Sequence, residues 1–176
     1  MKIVSFGASS SKKSINQQFA SYAAQQFENA SIELLDINSF ELPLFTIERE
    51  AEIGMPEAAK LFVSKLRQAD LLIISLAEHN GSYTAVFKNL FDWASRVMLK
   101  MFENKKMILL STATGPRGGL SVLEAAKSRF PIHGAIIIGS FSLPKFNENF
   151  SAESGIVHEE LATAFAEFIN TAKKAL

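Results

Sequence analysis

The stretch Lys2-Ile3-Val4-Ser5-Phe6-Gly7-Ala8-Ser9-Ser10-Ser11-Lys12-Lys13-Ser14-Ile15-Asn16 opens with an apolar run and a glycine, passes through a hydroxyl-rich loop and enters a helical pattern. Residues 14 to 27 continue that pattern, with Ile15, Phe19, Tyr22, Ala23 and Phe27 on one face and Ser14 placed to cap the first turn. A short apolar strand feeding a helix is one βα unit, and the unit recurs down the chain. Strands are expected at Lys2 to Phe6, Ser31 to Ile37, Leu71 to Ser75, Met107 to Ser111 and Ala135 to Ser140. Helical spacing fills residues 14 to 27, 56 to 68, 83 to 101, Leu120 to Arg129 and Ile156 to Lys174, and Pro56 suits a first helical turn. Glu41 to Met55 reads as a long exposed connection.

Strict β-α alternation predicts an α/β domain with a parallel sheet covered on both faces. Strands one, three, four and five are nearly continuous apolar runs, as doubly covered strands should be, whereas Ile32-Glu33-Leu34-Leu35-Asp36 carries charges and reads as an edge. Five such units predict a flavodoxin-like three-layer αβα sandwich of strand order 2-1-3-4-5, a single domain over residues 1 to 176. In that topology the ligand sits beyond the carboxyl ends of strands one and three, so the loops after strands one, three and four matter most.

Composition narrows the chemistry. Cysteine is absent, which removes disulfides, thiolate metal sites and a cysteine nucleophile; redox chemistry would have to come from a cofactor. Lys plus Arg and Asp plus Glu are 18 each, so no broad field draws nucleic acid or an anionic membrane. The amino terminus is too short in apolar residues for a secretion signal, and no run approaches the roughly 18 apolar residues of a membrane span. A cytoplasmic location is the expectation.

The first loop offers serine hydroxyls, backbone N–H groups and the positive end of a helix to one anion, chemistry that suits a phosphate monoester. It is equally an ordinary serine-rich turn capping a helix. Neither G-x-G-x-x-G nor the Walker lysine motif is present. The third-strand loop, Ala77-Glu78-His79-Asn80-Gly81-Ser82, carries groups able to grip the polar edge of a flat heterocycle, although a lone His79 also fits a solvated surface residue. Phe91 and Trp93 in the following helix read as packing residues. The fourth-strand loop, Ser111-Thr112-Ala113-Thr114-Gly115-Pro116-Arg117-Gly118-Gly119, again joins hydroxyls to glycines before a helix.

These three loops resemble the motifs of the NADPH-dependent FMN reductase family, a flavodoxin-like group that includes quinone, azo-dye and chromate reductases. The family's G-S-x-R-x-x-S-x-N is met by Ser9, Ser14 and Asn16, with Ala8 for the glycine and Ser11 for the arginine. Its P-E-Y-N-G-S and L-K-N-x-x-D-W are met by residues 78 to 82 and 88 to 93, with Ala77 for proline and His79 for tyrosine. Its S-x-G-x-x-G-G is met by residues 113 to 119, with Ala113 for serine. The resemblance covers residues 1 to about 140 and implies FMN as the bound cofactor. It implies phosphate contacts at Ser9, Ser11, Ser14, Ile15 and Asn16. It implies ring contacts at Ala77, Glu78, His79, Asn80, Gly81, Thr112, Ala113, Thr114, Gly115 and Gly118.

By the same resemblance, NADPH or NADH is the co-substrate, the flavin carries the hydride chemistry with no catalytic side chain, and electrons pass to a small acceptor: free flavin, a quinone, an azo compound or a metal oxyanion. A homodimer or homotetramer is expected from the family and from the third helix. There Phe87, Phe91, Val97, Met98, Met101 and Phe102 exceed one core-facing stripe. A flavodoxin-type electron carrier and an interaction module without flavin remain as alternatives; a response-regulator receiver lacks its carboxylates after strand one.

Overall fold

A computed structural model describes all residues from Met1 to Leu176. The chain runs β1 (Lys2–Ala8), α1 (Ile15–Gln25), β2 (Ser31–Leu34), a 3-10 turn at Ile37–Ser39, α2 (Ile47–Ile53), α3 (Glu57–Arg67) and β3 (Leu71–Leu76). It continues with a small hairpin, β4 (Glu78–His79) and β5 (Ser82–Tyr83), then α4 (Ala85–Val97), β6 (Lys106–Thr112), α5 (Leu120–Arg129), a 3-10 turn at Phe130–His133 and β7 (Ile136–Leu143). Short α6 (Phe146–Asn149), a second hairpin of β8 (Phe150–Ser151) and β9 (Gly155–Ile156), and α7 (Glu159–Lys174) complete it.

The main sheet has the order β2-β1-β3-β6-β7 with every pairing parallel, the flavodoxin-like 2-1-3-4-5 in order of the five long strands. Strand alternation sorts the apolar residues onto two faces. Ile3, Leu71, Ile73, Ile108 and Leu110 pack with Phe19, Ala23, Phe165 and Ile169 of α1 and α7. Val4, Phe6, Leu72, Ile74, Met107 and Leu109 pack with Phe62 and Leu66 of α3, Phe87, Leu90 and Phe91 of α4, and Val122 and Ala126 of α5.

Several boundaries move. The second strand stops at Leu34 rather than Ile37, because Asp36 accepts a hydrogen bond from the Asn38 N–H and caps a 3-10 turn instead. The fifth strand extends to Leu143, is only half-buried over most of its length, and so is the opposite edge rather than a doubly covered strand. The 41 to 55 connection is not structureless: Thr46 caps α2 through Arg49 N–H, although no residue of α2 is buried. The third long helix ends at Val97. Phe87, Phe91, Met101 and Phe102 are all at most 5% exposed within the single chain, and Val97 and Met98 are half-buried against the same core, so most of the apolar excess assigned to a partner is covered by this chain itself.

Candidate functional site

Gly7 begins the site. A Cβ there would lie 2.3 Å from the Gln17 nitrogen, so only glycine lets the first turn of α1 press against the end of β1. The contact is closed by Gln17, whose Oε1 accepts from Gly7 N–H at 2.6 Å while its Nε2 donates to the Leu35 carbonyl at 3.2 Å. Ser14 is the cap of α1, its Oγ accepting from Gln17 N–H at 3.1 Å. The N–H groups of Ile15 and Asn16 meet no protein acceptor. They leave two donors at a helix amino terminus beside the hydroxyls of Ser9, Ser11 and Ser14.

Asn16 is 2% exposed and its side chain makes three hydrogen bonds. Its Nδ2 donates to the Thr112 carbonyl at 3.1 Å, and its Oδ1 accepts from Thr112 N–H at 3.2 Å and from Ser75 Oγ at 2.7 Å. The side chain therefore ties α1 to the ends of two strands, β3 and β6, and the backbone N–H of Asn16 is left without a protein acceptor. Thr112 is likewise committed, its Oγ1 donating to the Leu143 carbonyl at 2.7 Å.

The third-strand loop folds as a two-residue hairpin, with Asn80 and Gly81 both at positive φ, 52° and 78°. Asn-Gly between paired residues is the sequence signal for such a turn. Glu78 reaches across to α5, its Oε2 accepting from Val122 N–H at 3.0 Å. Thr84 caps α4 and donates to the Ala8 carbonyl at 3.0 Å, which fastens this loop to the first. Tyr83 turns inward to stack on Phe130. Its hydroxyl is buried without a partner, and burial pushes its pKa up from 10.0 to about 12, the charge of Arg129 opposing.

The loops meet at a cavity of about 270 Å³. Of the residues singled out from sequence, Ser9, Ser11, Ser14, Ile15 and Asn16 line it from the first loop, Ala77, Glu78 and His79 from the second, and Thr112, Ala113 and Thr114 from the third. Asn80 and Gly81 form the exposed hairpin tip beside it. Gly115 and Gly118 are not among the residues that line it; the Gly118 carbonyl accepts from Ser111 and Ser142 hydroxyls and the Gly115 carbonyl from Lys145 N–H. Lys13 lines the cavity as well, a residue with no motif position of its own.

A larger groove of about 520 Å³ lies to one side, between residues 37 to 43 and the start of α4. Asn89 and Trp93 explain it. Asn89 Oδ1 accepts from Phe45 N–H at 2.8 Å and its Nδ2 donates to the Pro43 carbonyl at 3.0 Å, while Trp93 Nε1 donates to the same carbonyl at 2.8 Å. Arg96 adds an ion pair to Glu50 at 2.9 Å. Asn89 and Trp93 of the Lys88 to Trp93 motif thus staple residues 42 to 45 to α4, and Arg96 beyond the motif holds Glu50. Phe91 and Trp93 are core packing, as expected.

The sequence model of the NADPH-dependent FMN reductase family matches residues 1–148. The chain belongs to this family. Among its relatives, an uncharacterized protein of Mycoplasma pneumoniae, the MG342 homolog, is 31% identical over 147 residues, 80% of this chain and 85% of that one. The NAD(P)H-dependent FMN reductase PA1204 of Pseudomonas aeruginosa is 38% identical over 88 residues, which span 50% of this chain and 46% of the relative, about half its length. In three dimensions the chain is similar to the flavoenzyme NAD(P)H:(acceptor) oxidoreductase FerB of Paracoccus denitrificans, with a TM-score of 0.75 at 21% identity, covering 98% of this chain and 97% of that one. That likeness is one of fold.

Proposed function

We propose that the chain binds FMN in the three-loop cavity and oxidises NADPH or NADH, passing electrons through the flavin to a small acceptor such as free flavin, a quinone, an azo compound or a metal oxyanion. The single observation that carries this reading is the donor set at the start of α1. Two N–H groups without protein acceptors and three serine hydroxyls line one cavity, which is what a phosphate monoester requires. The fit extends to the ring, because the hairpin at Glu78–His79 and the residues 112 to 114 form the other walls of the cavity.

Bound FMN would supply the hydride chemistry. The chain's own part is positioning: Ser9, Ser11, Ser14 and the N–H groups of Ile15 and Asn16 take the phosphate. Ala77 to Gly81 and residues 112 to 115 border the ring, held at fixed separation by Asn16, Thr84 and Glu78. Gly118 acts behind the ring by holding the third loop. No side chain need exchange a proton with the nicotinamide. The same proposal includes a cytoplasmic homodimer or homotetramer. Its support is the exposed Leu44 and Ile47, 77% and 75% accessible, beside the groove; no helix is long and apolar enough to cross a membrane.

The test is anaerobic mixing of the FMN-loaded chain with NADPH. Direct bleaching of the visible flavin band is expected; a flavin that stays oxidised makes the chain a flavodoxin-type carrier instead.

A further inference from the structure

A second cavity, of about 500 Å³, opens directly from the flavin cavity and has no hydrophobic residue in its walls. The two share Ser9, Ser11, Lys13 and Ser14. Lys12 faces only the second, whereas Ile15 and Asn16, whose N–H groups suit the flavin phosphate, face only the first. Neither lysine takes part in any of the ion pairs of the chain or in a side-chain hydrogen bond. The one carboxylate in this cavity, Asp36, is occupied on Oδ1 by Asn38 N–H at 3.0 Å and Asn38 Nδ2 at 2.9 Å. Asn38 in turn lines the groove beside α4, whose walls are largely apolar: Ile37, Phe40, Leu42, Val86 and Leu90.

The order along the surface is then a flavin cavity, a cation at its junction, a further cation in a polar cavity, and an apolar groove. A reduced nicotinamide dinucleotide has the same order of chemistry: a ring that must meet the flavin, a diphosphate, a ribose that in NADPH bears a 2′-phosphate, and a flat adenine. We propose that Lys12 receives the 2′-phosphate of NADPH and sets the preference for NADPH over NADH, with Lys13 at the diphosphate that both nucleotides share. The assignment rests on the flavin reading above for its direction along the cleft. Lysine acts here as a mobile point charge toward phosphate, so the discrimination is electrostatic and falls with added salt.

The experiment is calorimetric titration of the purified chain, with and without FMN, by NADP+ and by NAD+, for wild type, Lys12→Ala and Lys12→Arg, with FMN affinity measured in parallel. NADP+ should bind wild type about tenfold more tightly than NAD+, the equivalent of roughly 1.4 kcal/mol. Lys12→Ala should erase that ratio and leave FMN affinity within about twofold, and Lys12→Arg should restore the ratio. Equal wild-type affinities, or a ratio retained in Lys12→Ala, would overturn the proposal. So would a loss of FMN affinity in Lys12→Ala as large as the loss for NADP+, since the lysine would then serve the flavin phosphate. Failure of the unmodified chain to bind FMN overturns the flavin reading separately, because the nucleotide ratio of the flavin-free chain still reads Lys12.

Discussion

Asn16 and Thr112 exchange two hydrogen bonds across the sheet, Nδ2 to carbonyl at 3.1 Å and N–H to Oδ1 at 3.2 Å, so that one side chain from α1 imitates a strand neighbour at the end of β6. Asn16→Ala would strand the Thr112 N–H and carbonyl and the Ser75 hydroxyl in a buried place. Leaving buried polar groups unpaired costs about 1–3 kcal/mol. Urea denaturation should show a loss of at least about 2 kcal/mol in stability, and FMN affinity should fall with it because the first and third loops separate. Unchanged stability would mean that the clamp is incidental.

Gly7→Ala tests the approach of α1 to β1. The added methyl would lie 2.3 Å from the Gln17 nitrogen and 2.7 Å from the Asn16 carbonyl carbon, backbone atoms that move only if the helix moves. Overpacking of this kind costs about 1–3 kcal/mol or more. Circular dichroism should report a lowered melting temperature, and flavin binding should weaken beyond what the stability loss explains, since the displaced N–H groups are the proposed phosphate donors.

Tyr83→Phe should stabilise the fold. The hydroxyl is buried without a partner, and removing an unpaired polar group is favourable by up to about 1 kcal/mol. The pH dependence follows from the same burial. With a folded pKa of about 12 against 10.0 unfolded, the tyrosine's contribution is complete below pH 10 and is lost as pH rises from 10 toward 12, where the unfolded chain ionises first. Denaturation measured across that alkaline window should fall less steeply for Tyr83→Phe than for wild type.

Much of this architecture is written in periodicity. The strands β1, β3 and β6 announce themselves because six consecutive residues in each are buried, and the Ser14 cap follows from a serine placed just before the apolar stripe. What periodicity does not carry is the partner of each polar side chain. Asn16 matched a phosphate-binding motif position, yet its amide is spent on Thr112 and Ser75. The Lys88-Asn89-x-x-Asp92-Trp93 motif gave no sign of gripping residues 42 to 45, because hydrogen bonds between residues some 46 positions apart leave no local pattern. Helix α2 escaped for a related reason: with nothing buried it has no apolar stripe, and only its Thr46 cap was available to find it.

Trp93→Phe tests the staple. The substitution keeps an aromatic ring near Phe45, whose ring lies 5.1 Å away, deletes the bond to the Pro43 carbonyl and leaves the space of the second indole ring empty at a fully buried position. A stability loss of about 2–3 kcal/mol is expected, about 1 kcal/mol of it from the hydrogen bond and the rest from the void. Hydrogen exchange should quicken in residues 42 to 50 and remain unchanged in β3 and β6; uniform quickening would show that Trp93 serves the core alone.

The loops after β1, β3 and β6 are proposed to form an FMN site with its phosphate at the start of α1. Titration of the purified chain with FMN and with riboflavin, followed by quenching of flavin fluorescence, tests it most directly. One FMN per chain is expected, bound at least about tenfold more tightly than riboflavin, with Ser14→Asp abolishing the difference by setting a fixed negative charge against the phosphate. Equal affinities for the two flavins, or no binding of either, would contradict it.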